Sequence, residues 1–331
     1  MRIVITNIVG SAFILAACFC ENSFAKSVTA WAPFDSPLYD TDVFSAAGEH
    51  VVTVENLRVH YVESGTGRTV VLIHGNAGDV EDFEFGTIDR LSRDYRVLAI
   101  DRPGHGGSDR PVGKEATVEY QAELLHETLV SLGITQPVLV GHSWGGSLAL
   151  CYALKYPGEL SGMVLLAPAA YPDGRGHALL RTVTKTPVIG KLSILIGKAF
   201  FGRGMLKQDL DQAFYPQSVP EDYLKHVTAS WLGEKQLEAY LDDKLVLNDC
   251  LKDIKDRYSQ IKIPVVIVTG DKDKIVSPKD NAYRLRKAIP RSRLIELKNT
   301  GHEIPETRPE SIHAAIRLIP GPSNGAARFV Q

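Results

Sequence analysis

The 331-residue chain lacks an excess of either charge: 37 Lys and Arg stand against 39 Asp and Glu, a formal net charge of -2. That balance offers no electrostatic footing for a nucleic-acid partner. Cysteine is scarce, four in all, and Cys18 and Cys20 fall in the N-terminal leader, so no disulfide framework is expected to hold the fold. Cys151 and Cys250 could pair in an oxidising compartment, but Cys151 sits in an apolar helical pattern that fits a small buried hydrophobe. No His/Cys/Asp run has the spacing of a metal site, and no G-x-x-x-x-G-K-[ST] phosphate loop is present. Neither cofactor nor metal is therefore expected. Solenoid repeats and low-complexity tracts are missing too, and beyond the leader no apolar run is long enough to span a bilayer.

What is present begins with that leader. A short basic start, "MR", precedes the apolar run "IVITNIVGSAFILAACF", and small residues, Ser23 and Ala25, stand before Lys26. This is the pattern of a secretory signal over 1–25, cleaved after Ala25. Within it "LAAC" ends at Cys18, as in a bacterial lipoprotein signal, where that cysteine would be lipidated. A retained membrane anchor is a third reading. Each places the chain at or beyond the cell membrane, periplasmic, secreted or lipid-anchored.

A turn-rich lead-in over 26–48 carries little periodicity. Two short strands follow around a turn at Asn56, and then the runs "TVVLIH", "RVLAI", "PVLVGH" and "GMVLLAP". Short, continuous, branched apolar runs are the mark of parallel strands buried on both faces. Helical patterns separate them, among them "VEYQAELLHETLVSLG", with Thr117 placed as N-cap and Gly133 as terminator. The alternation stops after Pro172 and resumes with "PVVIVTG", a helix from about 279, "SRLIEL" and a last helix near Pro309. The pattern predicts an α/β core over 49–172 and 259–320, a mostly parallel sheet of about eight strands with helices on both faces. A helical insertion over 173–258, after the sixth strand, and a flexible tail over 321–331 complete the organisation.

In "PVLVGHSWGGSLAL" a strand gives way to a helix, and Gly141 and Gly145 bracket Ser143 at the corner. Such a turn strains the serine backbone and lifts its hydroxyl clear of the sheet. A serine hydroxyl needs a base before it can attack anything. Of the ten histidines, His302 in "LKNTGHEIPE" lies directly after the last strand, at the edge where the strand C-termini gather, and fits that task. The base in turn needs an anion to fix its tautomer. "VTGDKDKIVSP" offers Asp271 and Asp273, and spacing alone does not choose between them. Asp101, His105 and Ser108 in "DRPGHGGSDRP" read as a structural loop.

With these motifs in order, residues 50–318 resemble the capped α/β-hydrolase superfamily, in its serine-nucleophile, esterase- and lipase-like branch. "LIHGNAGD", "AIDRPGHGGSDRP", "GHSWGG", "VTGDKDKIV" and "NTGHEIPETRPE" carry the resemblance. The resemblance implies the α/β-hydrolase fold, a catalytic set of Ser143, Asp273 and His302, and an oxyanion hole. The acid of that family stands three positions after the strand-ending glycine, here Gly270, which favours Asp273. The hole would be made by the backbone N–H groups of Asn76 and Trp144.

Haloalkane dehalogenases and epoxide hydrolases share the framework but carry aspartate where this chain has Ser143. A carboxylate that displaces a halide leaves an ester that water can cleave, whereas serine would leave an inert ether. Serine chemistry therefore points to a carbonyl, above all a carboxylic ester. Carbon–carbon, amide and perhydrolase chemistry, or a non-catalytic receptor role, are the alternatives. The expected partner is a small-molecule, hydrophobic acyl substrate. Phe200, Phe201, Phe214, Trp231 and Tyr240 could line an apolar pocket, though aromatics at helical spacing suit a core equally.

Residues 175–207 hold seven Lys or Arg and no Asp or Glu. Lys191 and Lys198 share a helix face, which suits either contact with a lipid surface or a cap helix whose lysines lie in water. If the basic face touches lipid, Lys191→Glu with Lys198→Glu lowers co-sedimentation with anionic liposomes. Unchanged co-sedimentation leaves the solvated cap helix.

Overall fold

The computed structural model describes residues 48–84, 86–112, 116–174, 204, 206–231 and 234–321. The leader with Cys18 and Ala25, the lead-in, Lys191, Lys198, Phe200, Phe201 and the tail from 322 lie outside these residues, as does the side chain of Trp231. The chain forms two units, Glu49–Arg175 with Lys207–Gln331, and Met1–Gly48 with Gly176–Leu206. The second unit contributes only residues 48, 204 and 206 to the described set.

Eight strands form one sheet in the order β1-β2-β4-β3-β5-β6-β7-β8. They are β1 (Gly48–Val54), β2 (Leu57–Ser64), β3 (Thr69–Ile73), β4 (Arg96–Ile100), β5 (Val138–His142), β6 (Gly162–Leu166), β7 (Val265–Gly270) and β8 (Ser292–Leu297). β1 and β2 are joined by Glu55 and Asn56, both at positive φ, as a two-residue hairpin turn requires. β2 runs antiparallel to β4, and β3 to β8 pair in parallel. Val70, Val71, Leu72, Leu139, Val140, Val164 and Leu165 are all fully buried. Strands covered on both faces leave no room for a polar alternation, which explains the unbroken apolar runs.

Parallel neighbours require crossovers, and helices supply them. Val118–Ser131 links β4 to β5, Trp144–Lys155 links β5 to β6, and Ala282–Ala288 links β7 to β8. The first is capped by the Thr117 side chain, which accepts from the Tyr120 N–H at 3.1 Å, and the chain leaves it through Gly133 at φ 64°. The helix expected from about 279 starts at Ala282, and the short helices Thr87–Leu91 and Ile304–Thr307 were not legible in the sequence.

The chain passes from β3 outward to β4 and then returns to place β5 on the other side of β3. That reversal opens a crevice beyond the C-terminal ends of β3 and β5. Ile73 and Gly141 are register partners there, so the segments that leave these two strands emerge side by side. Between β6 and β7 the described residues form helices and no strand, notably Glu221–Trp231 and Glu234–Ile254. No helix among the described residues is long and apolar enough to cross a membrane. Cys151 and Cys250 are both free thiols, Cys151 buried.

Thr117→Ala removes a cap without touching the core. It should cost about 1 kcal/mol of unfolding free energy, measured as a lower urea midpoint with an unchanged slope.

Candidate active site

β5 ends at His142 and the next helix begins at Trp144, so Ser143 alone carries the reversal. Its φ of 52° and ψ of -113° lie in a region that side chains rarely adopt. The cause is a close crossing. A Cβ on Gly145 would lie 2.4 Å from the Ile73 carbonyl oxygen, and one on Gly141 would lie 2.3 Å from that of Gly145. Only glycine lets the helix start so near β3. The corner is then pinned: the Ser143 N–H donates to Leu166 O at 2.9 Å, and its carbonyl accepts from Gly146 and Ala169.

Ser143 Oγ lies 2.9 Å from His302 Nε2, and His302 Nδ1 lies 2.7 Å from Asp273 Oδ2. The other oxygen of Asp273 accepts from the N–H groups of Ile275 and Val276 at 2.8 and 2.9 Å. A carboxylate can only accept, so Nδ1 carries the proton and Nε2 presents a lone pair to the serine hydroxyl. The loop after β8 that brings His302 here is held by its N–H, which donates to Ala213 O, and by His142 Nε2, which donates to its carbonyl. Asp271, the other acidic candidate, instead accepts from the Thr300 N–H at 3.4 Å and faces Lys272.

Burial opposes charge on His302, but the Asp273 carboxylate against it wins, and its pKa rises above the ordinary imidazole value. His142 has no such partner, and burial pushes it down to about 3. The segment from 304 continues the acidic surroundings. Burial, with Asp82 and Glu303 nearby, pushes Glu306 up to about 10.

Trp144 is the first residue of its helix, so its N–H has no intrahelical acceptor and lies at the positive end of the helix dipole. Asn76 leaves β3 beside it. The Asn76 side chain accepts from the Ala77 N–H at 3.2 Å, as a turn-former does, and donates to Tyr240 O at 3.2 Å. Trp144 Nε1 donates to Asp243 O at 3.3 Å. The side chains of both residues are thus engaged by helix Glu234–Ile254.

Asp101 accepts from Val80 N, Gly107 N and His60, and Ser108 donates to its carbonyl. These residues build the loop after β4. Phe214 is fully buried against Tyr223, a core position. Two groups bring His and carboxylate atoms close enough to share a cation, His142 with His302 and Glu303, and Asp79 with Glu81 and His226. In the first, both nitrogens of His302 are committed to Ser143 and Asp273. In the second, His226 pairs with both carboxylates. Arg102 and Asp243, which buttress the crevice from below, were given no role by sequence reasoning. They are separated by 141 positions, and no local pattern signals their pairing.

A family model described as "Alpha/beta hydrolase family" matches residues 70–315. Lipase 1 of Psychrobacter immobilis is 27% identical over 261 residues, covering 78% of this chain and 76% of its own. A 2-hydroxy-6-oxononadienedioate/2-hydroxy-6-oxononatrienedioate hydrolase of Burkholderia vietnamiensis is 28% identical over 277 residues, covering 78% and 90%. The solved structure of the epoxide hydrolase CorEH superposes with a TM-score of 0.70 at 18% identity, covering 83% of this chain and 98% of the other. It shares the fold.

Fluorophosphonate labelling of Ser143 reads this geometry directly. Only neutral His302 can accept the hydroxyl proton, so the labelling rate should rise with pH. The midpoint should lie above the ordinary imidazole value, since Asp273 raises the pKa. A midpoint below that value contradicts the arrangement.

Proposed function

Because the chain belongs to the alpha/beta hydrolase family, we propose that it is a serine hydrolase that cleaves carboxylic esters with hydrophobic acyl groups. Ser143 serves as nucleophile, His302 as base and acid, and Asp273 as the orienting anion. The observation that carries this reading is the unbroken hydrogen-bond chain from Ser143 Oγ through His302 to Asp273.

The steps follow from that chain. Ser143 Oγ attacks the ester carbonyl carbon as its proton passes to His302 Nε2. The carbonyl oxygen becomes an oxyanion, received by the N–H groups of Asn76 and Trp144. Donors aimed beforehand at that position lower the barrier by about 3 kcal/mol each. Collapse expels the alkoxide, which takes the proton from Nε2 and leaves an acyl-serine. Water then repeats the sequence with His302 as its base and frees the acid. Asp273 keeps its charge throughout and stabilises the imidazolium.

The lipase similarity supports the ester reading. Similarity to the dienedioate hydrolase favours a second one, carbon–carbon hydrolysis on the same three residues. The leader pattern over 1–25 supports an exported site of action.

A panel of p-nitrophenyl esters of graded chain length tests the proposal against a dienedioate. Turnover of the esters should fall by on the order of 10⁴-fold or more in Ser143→Ala. Binding without turnover favours a receptor, and preference for the dioate favours the carbon–carbon reading.

A further inference from the structure

We propose that Arg102 is a positioning residue for the oxyanion hole: clamped by Asp243, its guanidinium fixes both the peptide that bears the Asn76 N–H and the indole of Trp144. This rests on the assignment of Ser143, Asn76 and Trp144 given above.

The Gly75 carbonyl and the Asn76 N–H are the two ends of one planar trans peptide, and they point in opposite directions. Whatever holds the carbonyl therefore aims the N–H. Arg102 Nη2 donates to Gly75 O at 2.8 Å, and His74 Nδ1 donates to the same oxygen at 2.8 Å. The His74 tautomer is set by Arg102 as well, because the Arg102 main-chain N–H donates to His74 Nε2 at 2.9 Å. A cation on the carbonyl also polarises the amide and strengthens its N–H as a donor.

The same guanidinium lies over the other donor residue. Its central carbon is 4.1 Å from the centroid of the Trp144 ring, within reach of a cation–π attraction. The indole is fixed at its far end by Nε1 donating to Asp243 O. With Asn76 Nδ2 on Tyr240 O, both donor residues are moored to one turn of helix Glu234–Ile254.

Arg102 has little freedom to do anything else. Its side chain is 1% exposed and that of Asp243 is 0% exposed. Nη1 donates to Asp243 Oδ2 at 2.5 Å and to Gln121 Oε1 at 3.1 Å. Asp243 also accepts from His105 at 3.0 Å, Arg110 at 2.9 Å and Gln121 at 3.2 Å. Four donors fill the lone pairs of one carboxylate. So buried a cation does not meet substrate, and it acts through the groups it holds.

The test compares a p-nitrophenyl ester with its thionoester in the wild type, Arg102→Gln, Asp243→Asn and the double variant. Sulfur accepts hydrogen bonds poorly, so the thionoester draws little from the hole. Losing a whole oxyanion donor costs roughly 10²–10³ in kcat, and misaiming the Asn76 N–H should cost on the order of 10–100-fold. We expect that loss in kcat for the ester, a KM within about twofold, and a smaller ester-over-thionoester preference. Arg102→Gln alone leaves Asp243 charged and buried. The double variant and the near-isosteric Asp243→Asn retain the test if that protein does not fold, with melting followed by circular dichroism. A folded variant with wild-type kcat overturns the proposal, as does a loss of kcat that leaves the ester-to-thionoester preference unchanged. Turnover retained in Ser143→Ala overturns the assignment of Ser143 as nucleophile on which this proposal rests. Turnover lost there but full in the Arg102 variants removes only the positioning role.

Discussion

Everything at the crevice depends on one close crossing of main chains, where helix Trp144–Lys155 starts against the end of β3. Two glycines permit it, because side chains at 141 or 145 would run into carbonyl oxygens. The consequence is geometric. Ser143 is forced to a positive φ, its hydroxyl is thrown toward the loop after β8, and the free N–H end of a helix is delivered beside it. Strain of this kind costs on the order of 1–3 kcal/mol. It is sustained because the surrounding strands are fully buried and the corner is hydrogen-bonded on several sides.

Beneath that corner lies a second constraint of opposite character. Asp243, Arg102 and His105 are wholly buried polar groups, joined by buried Gln121 and His74. Burial alone would raise the Asp243 pKa, but Arg102 and Arg110 against it hold the carboxylate well below its ordinary value. His105 is pushed down to about 4 by burial and by Arg102, so it serves as a neutral donor. Buried pairs of this sort contribute little net stability compared with well-packed apolar residues. What they supply is direction. An apolar side chain of similar volume could fill the space but could not hold the Gly75 carbonyl at a fixed angle.

The strands were legible because burial on both faces demands unbroken runs of branched residues, and β4 and β8 coincide with "RVLAI" and "SRLIEL". Thr117 announced its helix because a cap is a local event. The Ser143 corner was legible for the same reason, its glycines being required within two positions on either side. Asp271 and Asp273 were not separable by spacing, since both follow β7. The difference lies in which one the next turn's N–H groups point toward, and Ile275 and Val276 point toward Asp273. Arg102 and Asp243 were beyond reach. Their meeting depends on how helix Glu234–Ile254 lies over the strand ends, a tertiary fact with no local periodicity.

Two histidines near the crevice show why the sign of a pKa shift must be read with the role of the group. Both His302 and His226 are raised, each because carboxylates outweigh burial. For His302 the neutral form is the one the proposed mechanism uses, so acid would remove the proposed base. For His226, raised to about 10 between Asp79 and Glu81, the charged form makes the contact. That stabilisation is fully present below the ordinary value of 6.5 and is lost as the pH rises through about 10. The contact joins helix Glu221–Trp231 to the loop after β3 that carries Asn76. In the proposed mechanism, mild acid would charge His302 while His226 keeps its contact with that loop.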